Sequence, residues 1–128
     1  MVYLDSSALV RLVVLEPVSR ALRAYLRGEP DRISCGLART EVLRAVRPSG
    51  PVAVAAARRV LRGIDLIRLD DALLDAAGML EPLGLRSLDA IHLAAAQLVA
   101  PALRAVVIYD RRMAEAAAAL GFPTSAPV

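Results

Sequence analysis

Residues 1–12 read MVYLDSSALVRL. Three residues suited to a buried strand, Val2, Tyr3 and Leu4, run straight into Asp5. Two small hydroxyl residues follow, Ser6 and Ser7, and then an apolar helical run begins. A carboxylate at the tip of an apolar strand is costly to desolvate unless a positive charge or a hydrogen-bond donor meets it. The same strand-then-helix unit repeats along the chain. Strands are expected at Val2–Leu4, Arg32–Ser34, Leu66–Leu69 and Ala105–Tyr109, with a last short piece near Phe122–Ser125. Helical patterns fill the intervals at Ser7–Val14, Pro17–Leu26, Gly36–Val46, Val52–Gly63, Ala72–Leu80, Leu88–Leu98 and Arg111–Leu120. Strands alternating with helices predict an α/β fold around a central parallel sheet of four to five strands. Pro17 reads as a first-turn proline, Ser34 and Ser87 as N-caps, and Gly121 as a C-terminal stop.

The 128 residues suit a single domain, 1–128, with one core. The composition is 57% hydrophobic but only 3% aromatic, so that core is built from Ala, Leu and Val. No apolar stretch reaches the roughly 18 residues that a membrane span needs. The N-terminal apolar run has no basic region before it and contains Asp5, unlike a secretory signal. The single cysteine, Cys35, excludes an internal disulfide and fits a reducing compartment, so a cytoplasmic location is expected. The net charge is +3, and all sixteen basic residues are arginine. Arginine suits bidentate phosphate contacts, but a coding bias toward Arg and Ala explains the count equally well.

In open parallel sheets the site lies beyond the carboxyl ends of the strands. Asp5 ends the first strand there, and Asp110 ends the fourth after VVIY (106–109). Two more acids interrupt apolar patterns. Glu41 lies in GLARTEVLRAV (36–46), with Leu37 and Ala38 on its helix face. Asp89 lies in RSLDAIHLAAA (86–96), in the first turn of its helix. Each has a bland reading: the helix dipole for Asp89, pairing with Arg39 or Arg44 for Glu41, turn chemistry for Asp5 and Asp110. All four being bland together is much less probable. Asp31, Asp65, Asp70, Asp71, Asp75 and Glu115 read as solvated.

Four converging carboxylates repel and raise one another's pKa. A hard divalent cation with oxygen ligands, such as Mg²⁺, removes that repulsion. The absence of lysine argues against phosphoacceptor receivers and aspartate-nucleophile phosphatases, which contact the phosphoryl group with one. There is no P-loop and no Ser-His-Asp signature. His92, the sole histidine, reads as a packed or hydrogen-bonded helix residue rather than a ligand of a hard cation. Cys35 reads as a small buried residue. What remains is metal-assisted hydrolysis of a phosphodiester.

VYLDSSALVRLVVLEP (2–17), ISCGLARTEVLRA (33–45), LRSLDAIHLAAA (85–96) and YDRRMAEAAAALGF (109–122) resemble, in order, the four signature blocks of PIN-domain ribonucleases, specifically VapC-type toxins of toxin–antitoxin pairs. The resemblance implies a three-layer α/β/α sandwich with strand order 3-2-1-4-5. It implies that Asp5, Glu41, Asp89 and Asp110 form an acidic quartet that binds Mg²⁺ or Mn²⁺ for endonucleolytic RNA cleavage. Ser6 and Ser87 match the small hydroxyl positions beside the quartet. Where many relatives have Thr, this chain has Ile108, on the same side of its strand as Asp110, so a hydrogen bond to that acid is expected to be missing. The resemblance also implies a cognate antitoxin, whose tail crosses the acidic groove with an arginine toward the carboxylates, and a homodimer. An apolar surface from Leu9, Leu12, Val13 and Leu26 exceeds one core's needs if these side chains do not all face inward. Arg86, Arg111 and Arg112 flank the acids and are candidate RNA contacts that offset the repulsion of phosphate. A catalytically inactive module of the same fold, binding RNA or protein, is the competing reading. The intact quartet argues against it, since a binder gains nothing from four repelling acids.

Overall fold

A computed structural model describes residues 1–128. Its five strands are β1 (Val2–Leu4), β2 (Arg32–Cys35), β3 (Asp65–Ile67), β4 (Ala105–Val107) and β5 (Thr124–Ser125). They form one sheet of order β3-β2-β1-β4-β5, and every pairing is parallel. The helices are α1 (Ser6–Val13), α2 (Ser19–Leu26), α3 (Leu37–Val46), α4 (Pro51–Arg62), α5 (Asp71–Gly78), α6 (Ser87–Leu98) and α7 (Arg111–Ala119).

β1 is the centre of the sheet, and all three of its residues are fully buried. Alternation along a strand sends Tyr3 to one face and its neighbours to the other. Val2 and Leu4 pack with α1–α4 through Leu9, Leu22, Val42 and Leu61. Tyr3 packs with α5–α7 through Leu73, Leu93 and Met113. Helices thus cover both faces, as an all-parallel sheet requires, and the sandwich has three layers. The chain winds from β1 outward to β3, then crosses back to β4 on the far side of β1. The winding reverses between β1 and β4, and there Asp5 and Asp110 leave the sheet.

The strand order is the one anticipated, but several boundaries differ. Pro17 lies outside α2, which starts at Ser19 after a turn. Ser34 is not a helix cap. β2 continues through Cys35, so Ser34 is buried inside the strand and its Oγ lacks a partner. Ser87 is not a cap either: it is the first residue of α6, and the extended residue before it, Arg86, makes no side-chain cap bond. Asp70, read as solvated, caps α5 by accepting from the Leu73 amide at 2.9 Å. Gly121 does end α7, with φ of 90° that a residue bearing Cβ adopts reluctantly. Leu9 and Leu26 are buried, and Leu12 and Val13 pack against the same core. The early helices therefore face inward. The large exposed apolar residues lie mostly elsewhere, Leu74, Met79 and Leu83 among them.

Candidate active site

Asp5 and Asp110 hold equivalent positions, each as the N-cap of the helix that follows its strand. Asp5 Oδ1 accepts from the Ala8 amide at 2.9 Å and the Ser7 hydroxyl at 2.7 Å. Asp110 Oδ1 accepts from the Met113 amide at 2.8 Å. Turn chemistry and a site role therefore coexist, because one oxygen of each carboxylate builds the helix and the other is not needed for the cap. Burial is what raises the Asp5 carboxyl above its ordinary value. The Ser7 and Ala8 donors and the nearby His92 oppose that rise, while the negative charge of Asp89 adds to it. Asp5 and Asp89 thus sit close enough to repel.

Asp89 projects from the first turn of α6 without capping it. Its Oδ2 accepts from Arg86 Nε at 2.9 Å, and the same guanidinium donates from an Nη to Asp110 Oδ2 at 3.3 Å. An exposed arginine thus bridges two acids that a cation would otherwise have to neutralise. Ile108 is buried in the core and offers Asp110 nothing, so Met113 N–H and Arg86 hold that acid instead.

Glu41 reaches across from α3 and meets neither Arg39 nor Arg44. Its Oε1 accepts from the Ser6 hydroxyl and from His92 Nε2, both at 2.7 Å. His92 is buried on α6, and its Nδ1 lies 2.8 Å from the Tyr3 hydroxyl and 3.6 Å from Cys35 Sγ. Burial alone would push this imidazole down. Hydrogen bonds to Cys35 and Glu41 outweigh it and push the group up to about 10. The Glu41 carboxyl is correspondingly lowered: the His92 and Ser6 hydrogen bonds overcome the rise that burial would cause. Burial would raise the Cys35 thiol as well, but the His92 contact pulls it down. His92 therefore ties β1, β2, α3 and α6 together beneath the site. Its packed role was legible, but its partners were not. Tyr3 and Cys35 stand 89 and 57 residues away, and no local spacing announces such a contact.

Ser6 lies among these groups. Ser87 does not: it is exposed and lines an apolar groove with Leu74 and Ile91. Arg111 and Arg112 are exposed at the start of α7. Arg112 lines a depression of about 290 Å³ together with Arg86 and Asp89.

No three of the His, Cys, Asp and Glu side chains close into a ready-made metal cage. The donor set still fits a hard cation. Every acid offers carboxylate oxygen, the negative charge of Asp89 is felt at Asp5, and Arg86 already supplies positive charge to Asp89 and Asp110. Mg²⁺ keeps several waters and needs only one or two carboxylates directly. Asp5, Asp89, Asp110 and Glu41 are the residues that could hold it.

Residues 2–119 match the model of the PIN domain. Ribonuclease VapC46 of Mycobacterium tuberculosis is 52% identical over 126 residues, which is 98% of this chain and 97% of that protein. Ribonuclease VapC47 of the same species is 38% identical over 99% of this chain and 97% of its own length. Among solved structures, the M. tuberculosis toxin VapC20, described as cleaving the sarcin-ricin loop, superposes with a TM-score of 0.75 at 18% identity, over 99% of this chain and all of that one. A toxin–antitoxin complex from Klebsiella pneumoniae gives 0.69 at 19% identity, over 86% and 87% of the two chains. Those two likenesses speak to the fold, and the whole-length identities speak to kinship. The chain belongs to the PIN-domain family, among the VapC ribonucleases.

Proposed function

We propose that this chain is a metal-dependent endoribonuclease that acts as the toxin of a toxin–antitoxin pair. The single observation that supports this most is the grouping of Asp5, Asp89 and Asp110, with Glu41 reaching in, at the point where the sheet's winding reverses. A bound Mg²⁺ or Mn²⁺ ion supplies Lewis-acid polarisation of the phosphodiester and a more acidic water. The protein's own part is positioning. The second oxygens of Asp5 and Asp110 are available to the site because their partner oxygens are fixed in helix caps, that of Asp110 once Arg86 gives way. Ser6 and His92 hold the Glu41 carboxylate ionised and aimed. Arg86, Arg111 and Arg112 offset phosphate repulsion, and the amides at the start of α7 favour the same anion.

An antitoxin would silence such an enzyme most simply by occupying the acids. The Arg86 bridge supports this, since two acids already accept a guanidinium in good geometry. Met79 and Leu83, 84% and 91% exposed, support a homodimer that covers the α5–α6 face. The test is cleavage of an RNA pool with Mn²⁺ by wild type and Asp5→Asn. Cleavage should fall by orders of magnitude in the variant while its fold persists; a variant that cuts as fast as wild type sinks the reading.

A further inference from the structure

The formal charge of +3 is not spread over the molecule. Residues 36–64, which make up α3, α4 and their connection, carry six arginines and one acid, a net of +5. The rest of the chain carries ten arginines and twelve acids, a net of −2. The basic charge is therefore concentrated on one helix pair. Five of the six, Arg39, Arg44, Arg47, Arg58 and Arg62, line three adjoining shallow depressions, the largest about 490 Å³. All five are exposed, and none forms an ion pair.

The one acid in that stretch is Glu41. On a helix with 3.6 residues per turn, Arg44 lies about 60° around from Glu41, and Arg47 about 60° further on. Beyond Arg47 the arginines of α4 continue the line. The stripe thus begins at the flank of the acidic site and runs away from it over α3 and α4. We propose that this stripe is a track for the RNA backbone beyond the scissile bond, a reading that rests on the nuclease assignment. The acids at the site repel phosphate, so affinity for a polyanion has to come from outside them. Arginine forks match phosphate oxygens two at a time. The stripe has no aromatic side chain on which a base could stack, so it reads charge and leaves sequence unread. Its apolar lining, Leu43, Pro51, Val54, Ala55 and Leu61, includes no aromatic or methionine side chain of the kind that anchors the centre of a protein interface.

Fluorescein-labelled single-stranded RNA, bound without metal and followed by anisotropy across a salt series, tests the track. Arg44→Ala, Arg47→Ala and Arg58→Ala combined should lower the log–log salt slope by about 2, since each lost contact to a single strand removes about 0.7. The corresponding Lys substitutions should restore most of it. With Mn²⁺, KM for long RNA should rise in the alanine variant, while cleavage of a trinucleotide, too short to reach the stripe, stays at the wild-type rate. An unchanged slope and unchanged KM overturn the track and leave the nuclease reading standing. A wild type that binds with the full slope but never cleaves overturns the nuclease reading and leaves the track. An alanine variant that binds RNA normally but loses an acidic protein partner gives the stripe to that partner and overturns the proposal.

Discussion

His92 is the residue on which the site's polar side depends. An imidazole held up to about 10 gives folding a proton-linked contribution of definite sign. Its ordinary value is 6.5, so below that pH both folded and unfolded chains carry the proton and the pairing with Glu41 contributes fully. As pH rises through the interval toward about 10, the unfolded chain has released a proton that the folded chain retains, and stability falls. The lowered Cys35 thiol contributes with the opposite sign; Cys35→Ala removes that contribution together with one of the two contacts that hold the imidazole up, so the decline left in that background reports the Glu41 pairing. Urea unfolding of metal-free protein in that background should show stability declining above pH 6.5, and His92→Gln should flatten the decline. A profile flat in that background with His92 in place means that the Glu41 pairing does not hold the proton by itself. Arg86 makes a second prediction at this scale. Because it bridges Asp89 and Asp110, Arg86→Ala removes a competitor for the metal. Mn²⁺ affinity read by calorimetry should rise while RNA affinity falls; if Mn²⁺ binds more weakly, the bridge helps to assemble the metal site instead.

At the scale of elements, the two caps separate folding from chemistry. Asn caps a helix about as well as Asp, whereas Ala costs about 1 kcal/mol. Asp110→Asn should therefore keep the metal-free unfolding midpoint of wild type and lose Mn²⁺ affinity, while Asp110→Ala loses both. Equal stability of the Ala and Asn variants refutes the cap seen at Met113 N–H. These elements also mark how far sequence reaches. Asp5 and Asp110 are legible because a strand tip is a local pattern, and Glu41 and Asp89 because an acid interrupts an apolar helix face. Ser34 misleads because strand pairing with β3 continues past it, to Cys35 opposite Ile67, so a residue with capping chemistry is buried in the sheet. Ser87 misleads because α6 starts at Ser87 itself, one residue after the position a cap would occupy. The Tyr3–His92 contact is out of reach from sequence because it joins opposite ends of the chain in a way that only the closed sandwich creates.

For the whole molecule, the proposed metal site at the reversal of the winding predicts that stability depends on the cation. A ligand that binds only the folded state adds about 2.7 kcal/mol at a hundred times its dissociation constant. Saturating Mn²⁺ should raise the thermal midpoint over that in EDTA, and Asp89→Asn should shrink the difference. Equal midpoints for wild type with metal and with EDTA leave the acids without a resident cation. Alternation of strands and helices along the chain made the parallel α/β sheet legible, whereas its strand order and three layers came from the resemblance of the four sequence blocks to PIN-domain ribonucleases, because alternation alone leaves the order of the strands open.

The hydrogen-bonded line from Tyr3 through His92 to Glu41 has a consequence across generations of sequence. It passes from the centre of the sheet to the rim of the site, so these positions are not free to drift one at a time. An apolar replacement of His92 strands the Tyr3 hydroxyl in the core and releases Glu41 at once, which disfavours each single step. Descendants of this chain should therefore keep the trio intact or exchange it as a set, Phe for Tyr3 together with a new partner for Glu41. A double-mutant cycle between Tyr3→Phe and Glu41→Gln gives that bond between positions a number. A coupling of about 0.5 kcal/mol or more marks positions that change together, and additivity marks positions that drift alone.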